Sequence, residues 1–285
     1  MTATGIHEGE IATQRRAGVE ADAKRLEVML DSPRLSHGAT RFLASQRFVA
    51  LTGRGRDGLL WISPVTGEPG FLRGQDDILS VSSTPRDGDP LHEMPIDQQV
   101  GLIAIDFATR RRVRINGKLL SADDACMTLR VDQSYGNCPQ YVHRRAVDAG
   151  GFAASPSLRA RHAELLDPSD QAMITASDTF FLGTTHPSRG SDASHRGGPA
   201  GFVRVDSPGR LWWPDFPGNN MFNSFGNLAV DDEAALLFVD FVTGASLHLS
   251  GTAQVRWTTP GASGDDGGVG RSVAFSVDTV VALSE

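Results

Sequence analysis

The residues best suited to chemistry lie in the second half of the chain, in the glycine-rich stretch SHRGGPAGFVR at positions 194–204. It opens with a hydroxyl, an imidazole, a guanidinium and a glycine in succession: Ser194, His195, Arg196 and Gly197. Glycine lets backbone N–H groups approach a ligand closely. His186 and Arg189 precede the stretch and add cationic character. The pattern predicts a cradle for a small anion, and the alternative is a solvated glycine-rich hairpin loop.

A second polar segment, LWWPDFPGNNMFNSFGNL, follows at positions 211–228. Its pattern predicts a strand bearing Trp212 and Trp213, then a turn, then a helix over residues 219–227. Amide side chains and free N–H groups at a helix start suit phosphate oxygens. Paired tryptophans are more often core residues than a cofactor platform, but these lie beside the turn.

Composition excludes several classes of protein. A net charge of −7 over 285 residues argues against a general nucleic-acid binder, which relies on a basic surface. No stretch approaches the roughly 18 uninterrupted apolar residues of a membrane span. The polar N-terminus lacks the apolar region of a secretory signal. We therefore expect a cytoplasmic protein without membrane or nucleic-acid partners, whose two cysteines are reduced.

Other reactive residue types give weaker signals. Cys138 is a candidate reactive thiol, although a buried structural cysteine is favoured because no partner ligand is nearby. The eight histidines lack the spacing of a metal motif, so we expect no metal ligated by the protein. A basic cluster of residues 110–112 and 143–145 is typical of a solvated surface.

The chain divides into four predicted parts. Residues 1–40 have helical periodicity, and residues 131–172 form a helical and looped connector. Residues 41–130 and 173–285 each contain a series of short β-branched runs separated by Gly, Asp or Pro. This pattern predicts a mainly β protein of the α+β type, with antiparallel sheets or barrels and peripheral helices.

The two β series form an internal repeat. Asp106-Phe107 and Asp240-Phe241 both begin the pattern D-F-x-T, and G-F-L-R in the first series matches G-F-V-R in the second. Ser63 is equivalent to Ser194, so that Val65 stands where the second copy has Arg196. Duplicated barrels commonly pack as a pseudo-two-fold pair, and the cleft between them is a natural ligand site.

The motif S-x-R-G-G-P-x-G-F-V-R-V, followed by P-D-x-P-G-N-N and N-S-x-x-N, resembles the flavin-binding signature of the pyridoxamine 5′-phosphate oxidase-like superfamily. HEGEIATQRRAG and VDQSYGNCPQY resemble a bacterial branch of it, described as oxidase-related flavin-nucleotide-binding proteins. The resemblance covers nearly the whole chain. It implies tandem FMN-binding split β-barrels arranged as a pseudo-dimer, with the first copy degenerate and the flavin bound between the barrels.

The resemblance also implies roles for residues. Arg196 contacts the flavin or its phosphate, and Ser194, His195 and Gly197 shape the loop. Trp213, Pro214 and Asp215 run beside the isoalloxazine ring. Asn219, Asn220 and Met221 form the phosphate turn near Ser224, where the family more often has Ser-Arg-Lys. That turn lacks two cations, which Arg189 or Arg196 would have to replace.

The resulting expectation is an FMN-dependent oxidoreductase that acts on a small-molecule substrate or with a reductase partner. The chain ends in SVDTVVALSE, without the Arg-x-His-type segment of true pyridoxamine phosphate oxidases, so we expect another substrate. The alternatives are a non-catalytic flavin-nucleotide sensor or carrier, and a split barrel that binds haem or F420. A homodimer of the fused pseudo-dimer is left open.

Overall fold

The computed structural model describes residues 5–25, 34–136, 140–145 and 158–284. Its first antiparallel sheet consists of β1 (Phe48–Arg54), β2 (Leu60–Thr66), β3 (Leu72–Gln75), β4 (Ile78–Val81), β5 (Gln99–Asp106), β6 (Arg111–Ala122) and β7 (Met127–Gly136). Its second consists of β8 (Arg159–Ala163), β9 (Thr179–His186), β10 (Gly190–Gly197), β11 (Arg204–Ser207), β12 (Arg210–Pro214), β13 (Glu233–Val239), β14 (Ser246–Trp257) and β15 (Arg271–Ser284).

The two sheets have the same strand order. The first runs β2-β1-β5-β6-β7-β4-β3, and the second runs β10-β9-β13-β14-β15-β12-β11. Each strand of the first sheet therefore has a counterpart in the second, and β8 is an addition that pairs with β15. The predicted internal repeat and the mainly β, tandem-barrel fold are confirmed.

Strand register confirms the residue equivalences. Leu51 pairs with Ser63 in the first sheet, and Leu182 pairs with Ser194 in the second. The D-F-x-T motif is the same turn in both copies. Asp106 accepts hydrogen bonds from the backbone N–H groups two and three residues later, and so does Asp240. The repeated motif thus reflects the geometry of a turn.

Most buried apolar side chains of the described residues belong to three large cores. Residues from all seven strands of the first sheet meet in one cluster, so the sheet curls around it, and the second sheet has a matching cluster. On β1, Val49 and Leu51 face the first core, whereas Phe48 and Ala50 face a third core between the two halves. These strands are buried on both faces, which explains their nearly continuous apolar sequences.

The halves meet at a pseudo-two-fold contact between equivalent residues. Thr52 and Gly183 hold the same position in the two sheets, because they pair with Gly101 and Ala235 respectively. A Cβ on Gly183 would lie 2.7 Å from Cγ2 of Thr52. A residue that touches its own counterpart lies on the symmetry axis of an isologous interface. The predicted pseudo-dimer arrangement is therefore confirmed.

The helices within the described residues are α1 (Glu8–Ala17), α2 (Glu20–Lys24), α3 (His37–Ala44), α4 (Pro168–Ala176) and α5 (Asn223–Leu228). None of the helices in the described ranges combines the length and apolar character needed to cross a bilayer. Residues 131–136, expected to begin a helical and looped connector, are instead the end of β7 and pair with β6. Val131 and Tyr135 are buried four positions apart, a spacing that fits both helical and strand periodicity. Cys138 lies outside the described residues.

Candidate functional site

One cleft between the two halves collects most of the predicted site residues. The end of β10, β12 and the turn into α5 form its second-half wall, and β6 contributes from the first half. We use "the cleft" for the space lined by Arg112, Arg114, Gln140, Tyr141, residues 195–197, Phe202, residues 213–220, residues 222–225 and Arg271. It contains the segments expected to bind a ligand.

Nine of the eleven predicted site residues line the cleft, and the other two lie behind its wall. Ser194 is fully buried, and its Oγ lies 3.1 Å from Oγ of Ser224. Met221 is buried against Tyr135. The structure thus brings the predicted residues together, while their role in holding a cofactor stays a prediction.

The cleft is locally cationic in an acidic chain. Its lining includes four guanidinium groups: Arg112, Arg114, Arg196 and Arg271. Asp215 is a carboxylate of the same lining, with Oδ2 at 2.8 Å from Nε of Arg271 and Oδ1 at 3.7 Å from an Nη of Arg196. Burial lowers the pKa of Arg196, and Asp215 opposes that shift. The excess of cations over carboxylates favours an anionic ligand.

Asp192 of β10 ties the first-half wall to the second. Its Oδ2 lies 3.1 Å from an Nη of Arg114, and it accepts a hydrogen bond from Ser224 Oγ at 3.1 Å. The hydroxyl of Tyr135 donates to Oδ1 at 3.4 Å. Burial, followed by the charge of Asp192, raises the pKa of Tyr135, so the phenol stays protonated as a donor. Asp192 was not predicted, although it shares the alternating face of β10 with Ser194 and Arg196.

His195 is a neutral imidazole held against the first half. An Nη of Arg112 lies 3.2 Å from its Nδ1, and a guanidinium can only donate, so Nδ1 accepts. Burial, followed by the charges of Arg112 and Arg145, holds the pKa of His195 well below 6.5. The ring proton therefore sits on Nε2, which has no hydrogen-bond partner among the described residues.

Further buried donors on the lining, including Nε of Arg114, are in the same condition. Nε of Arg196 and Nε1 of Trp213 have no hydrogen-bond partner within the described part of the chain. A buried donor without an acceptor costs about 1–3 kcal/mol, so native structures normally supply a partner. A ligand rich in acceptor atoms, such as a flavin nucleotide, fits this donor set.

The turn before α5 adopts an uncommon backbone. Asn220 and Phe222 both have positive φ, at 61° and 60°, which is the left-handed region that non-glycine residues rarely adopt. Asn219 Oδ1 accepts from the N–H of Met221 at 3.2 Å. The predicted helix over 219–227 is wrong in its start, because this turn delays α5 to Asn223.

Aromatic rings form the remaining walls. Tyr141 and Phe216 are stacked with centroids 5.0 Å apart, and the guanidinium of Arg196 lies 5.1 Å from the ring centroid of Phe225. Trp213 is almost fully buried, edge-on to Phe180, whereas the Trp212 indole donates to Asp206 at the surface. The two tryptophans therefore differ in position: Trp213 belongs to both the core and the cleft wall, whereas Trp212 lies at the surface.

His7, Glu8 and His186 form a separate cluster whose potential metal-binding atoms lie within 4.8 Å of one another. Both rings already have hydrogen-bond roles. Nδ1 of His7 accepts from Gly9 N–H, and Nδ1 of His186 accepts from Ser188 N–H. Each Nε2 therefore carries the proton, and that of His186 points to Glu8 Oε1 at 3.3 Å. These roles indicate a hydrogen-bond network that anchors α1, and they disfavour a metal centre at this cluster.

The pseudo-two-fold relation gives the cleft an equivalent location on the other side of the interface between the two halves. Ser246 and His248 of β14 occupy the register positions of Arg112 and Arg114 of β6. Ser63 of β2 is the counterpart of Ser194. The first copy therefore has a matching locus, but with neither arginine.

That equivalent locus is filled by the chain itself. Asp89, from the loop after β4, accepts from Ser63 Oγ at 2.5 Å, and its Oδ2 lies 3.7 Å from Nε2 of His248. Arg86 donates to Ser246 Oγ at 2.8 Å. Asp89 and His248 are buried. Asp89 thus touches Ser63 as Ser224 touches Ser194, and the space corresponding to the cleft is occupied.

No family model and no curated protein matches the chain. Solved structures match parts of it. A protein of Lactobacillus delbrueckii, provisionally described as a pyridoxamine 5′-phosphate oxidase, is 15% identical over 41% of this chain and 93% of its own, with a TM-score of 0.34. A Clostridium acetobutylicum protein related to general stress protein 26, of the pyridoxinephosphate oxidase family, is 17% identical over 38% and 81%, with a TM-score of 0.29.

An FAD-binding protein of Mycobacterium smegmatis is 18% identical over 36% of this chain and 93% of its own, with a TM-score of 0.27. The matching structures include split barrels of the pyridoxamine phosphate oxidase type. The assignment of the fold to this chain rests on the repeated strand order of its two sheets.

Proposed function

We propose that this chain binds one FMN molecule in the cleft and acts as an FMN-dependent oxidoreductase on a small molecule or with a reductase partner. The observation that carries the proposal is the meeting of the second-copy motif with arginines from distant strands. Arg196 of β10, Arg114 of β6 and Arg271 of β15 line one space together with the polar turn. FMN supplies the hydride or electron transfer when it is bound.

The phosphate is assigned to the turn. Asn219, Asn220 and Ser224 provide neutral polar groups, and Arg196 and Arg271 provide charge. Arg271 offers a cation that replaces one of those missing from the Asn-Asn-Met turn. It comes from β15, more than forty residues later in the chain, and therefore gives no local sequence signal. The charge of Arg189 instead lowers the pKa values of His7 and Glu10, and Arg189 is absent from the cleft lining.

The ring of the flavin is assigned to the wall formed by residues 213–215, with the unpartnered donors of His195 and Trp213 available to its acceptor atoms. His195 stays neutral at physiological pH because burial and neighbouring arginines lower its pKa. It therefore serves as a hydrogen-bond donor at fixed position, not as a cation. Closure of the first-copy locus by Arg86 and Asp89 supports a stoichiometry of one flavin per chain.

Titration of the purified chain with FMN, followed by flavin fluorescence, tests the proposal. We expect quenching that saturates in the micromolar range, and its loss in Arg196→Ala. Arg204→Ala, which removes an exposed arginine of β11, is the matched control and should bind normally. Absence of binding, or equal binding by both variants, contradicts the proposal.

The alternatives are separated by two further measurements. The visible spectrum of the protein as purified distinguishes FMN from haem and from F420, because the three chromophores absorb differently. Bound FMN that no nicotinamide cofactor or reductase reduces, and whose reduced form no acceptor reoxidises, points to a sensor or carrier. Light scattering on the same sample reports whether the fused pair associates further into a homodimer.

A further inference from the structure

Helix α1 crosses α5 with unusually close backbones. Gly9 and Gly226 face each other at the crossing, and a Cβ on Gly9 would lie only 2.1 Å from the carbonyl oxygen of Gly226. A Cβ on Gly226 would lie 2.4 Å from Cγ of Glu10. Neither side chain could be added without moving a helix. The position of α1 is therefore fixed against the helix that follows the cleft turn.

Three side chains of the α1 region reach from this crossing to the turn and to α5. Gln14 Nε2 donates to the carbonyl oxygen of Met221 at 3.0 Å. Glu10 Oε1 accepts from Asn223 Nδ2 at 2.6 Å. His7 Nε2 donates to Asn227 Oδ1 at 3.1 Å. His7, Glu10 and Gln14 are all buried, with exposed fractions of 6%, 3% and 2%.

Glu10 is the central member of this set because its partner, Asn223, lines the cleft. Its other oxygen, Oε2, accepts from the backbone N–H of His7 at 2.7 Å and closes the capping box of α1. One carboxylate thus joins the start of α1 to the end of the turn. The turn needs such restraint, since Asn220 and Phe222 hold the left-handed conformation, which is unfavourable for residues other than glycine.

We propose that Glu10 is a positioning residue for the ligand: its hydrogen bond to Asn223 holds residues 219–223 in the conformation that binds it. Glu10 itself does not line the cleft. The inference rests on the proposed function for the identity of the ligand, but the ordering of the turn by Glu10 is independent of it.

The surroundings of Glu10 make this restraint sensitive to pH near neutrality. Burial, together with the charge of Asp192, raises its pKa to about 7, while the His7 N–H, Asn223 and Arg189 act in the opposite direction. The charged or titratable groups that face it are His7 at the helix cap, Asp192 on β10, Arg189 in the β9–β10 turn and Tyr135 on β7. An ionised carboxylate accepts more strongly than a carboxylic acid, so the hydrogen bond to Asn223 weakens below pH 7.

The first test measures FMN affinity by fluorescence between pH 6 and pH 8 in the full chain. We expect wild-type affinity to rise about fivefold over this range. Glu10→Gln keeps an acceptor for Asn223 but cannot ionise, so its profile should lose that rise. Glu8→Gln, two residues earlier in α1 and largely exposed, is the control and should follow the wild type. Titration of the FMN phosphate is common to all variants and cancels in the comparison.

The second test needs no ligand. Amide hydrogen exchange of residues 219–228 is compared in the wild type, Glu10→Gln and Glu10→Ala at a temperature where all three are folded. We expect exchange in this segment to be at least about tenfold faster in Glu10→Ala, and partly restored in Glu10→Gln. Unchanged exchange in Glu10→Ala overturns the inference. Faster exchange without FMN binding by any form supports the positioning role and contradicts the proposed function. A Glu10→Gln profile that rises as in the wild type also overturns the inference.

Discussion

Arg196 and Val65 occupy the same position in two copies of one sheet. Arg196 pairs with Phe180 across β9 and β10, and Val65 pairs with Val49 across β1 and β2. Val65 packs into the core of its barrel, whereas Arg196 lies beside Asp215 on the cleft. The same backbone position therefore holds a core residue in one half and a residue of the cleft lining in the other. The roles of Val65 and Arg196 differ because the neighbouring segments differ: the second copy places Asp215 beside Arg196.

Removal of Asp192 should destabilise the protein through Arg114. Asp192→Ala leaves the buried guanidinium of Arg114 without its carboxylate, and breaking such a pair costs about 3–5 kcal/mol. Urea unfolding of the variant measures the loss. Asp192→Ala combined with Arg114→Met should recover part of it, since the uncompensated charge is then gone. Equal stability of the single and double variants contradicts this interpretation.

Asp89 should matter for stability and not for ligand binding. It closes the locus equivalent to the cleft and accepts from Ser63 and from the N–H of Leu91. Asp89→Ala leaves these donors unsatisfied, and we expect a loss of about 2–3 kcal/mol in the free energy of unfolding. The FMN dissociation constant should stay within about twofold of the wild type. A large change in that constant would place Asp89 in the binding machinery.

The axis contact between Thr52 and Gly183 should behave as a coupled pair. Gly183→Ala places a methyl group against the Thr52 side chain, and overpacking of this kind costs about 1–3 kcal/mol. Thr52→Ala removes the atoms that the new methyl would meet. We therefore expect the double variant to be more stable than Gly183→Ala alone, as measured by thermal unfolding. Additive effects in the double-mutant cycle are the contrary outcome.

His7 and Glu10 should give opposite pH dependences to the free energy of unfolding. Burial lowers the pKa of His7 from 6.5 to about 4, so between these values only the unfolded chain is protonated there, and stability rises with pH. Burial raises the pKa of Glu10 from 4.5 to about 7, so the folded chain holds the extra proton, and stability falls as pH rises. In the wild type the two contributions offset each other.

Single substitutions should separate the contributions of His7 and Glu10 to the pH dependence of the free energy of unfolding. Glu10→Gln leaves the His7 contribution, so its stability relative to the wild type should rise by about 2–3 kcal/mol from pH 4.5 to pH 6.5. His7→Asn, which can still cap α1, should change in the opposite direction. Urea unfolding at the two pH values checks the signs. Parallel behaviour of both variants and the wild type would show that the two groups titrate normally.

The repeat, the strands and most of the cleft lining could be predicted from the sequence because they depend on local patterns. Alternating apolar runs specify strands, and the D-F-x-T turn specifies its own hydrogen bonds. The polar motif around Arg196 and the Asn-rich turn are each a continuous stretch of sequence, so the polar residues of that wall could be predicted. The start of α5 was misplaced because the left-handed residues Asn220 and Phe222 carry no glycine signal.

The rest of the site depends on contacts between residues distant in sequence. Arg112 and Arg114 lie in a run of basic residues typical of a solvated surface, and only the packing of β6 against β10 brings them to the cleft. In the sequence Glu10 has only the pattern of a helix-capping residue. The close crossing of α1 and α5 at Gly9 and Gly226 brings it within hydrogen-bond distance of Asn223. Closure of the first-copy locus likewise requires Asp89 to meet His248 across the pseudo-dimer.

We propose that this chain has one flavin site, built around Arg196, although the pseudo-two-fold symmetry of its two halves would allow two. The most direct measurement is an absorbance titration of the purified chain at known concentration with FMN, repeated with Arg196→Val, which installs the first-copy residue. We expect saturation at one FMN per chain in the wild type and none in the variant. Two FMN per chain, no binding, or undiminished binding by Arg196→Val would contradict the claim.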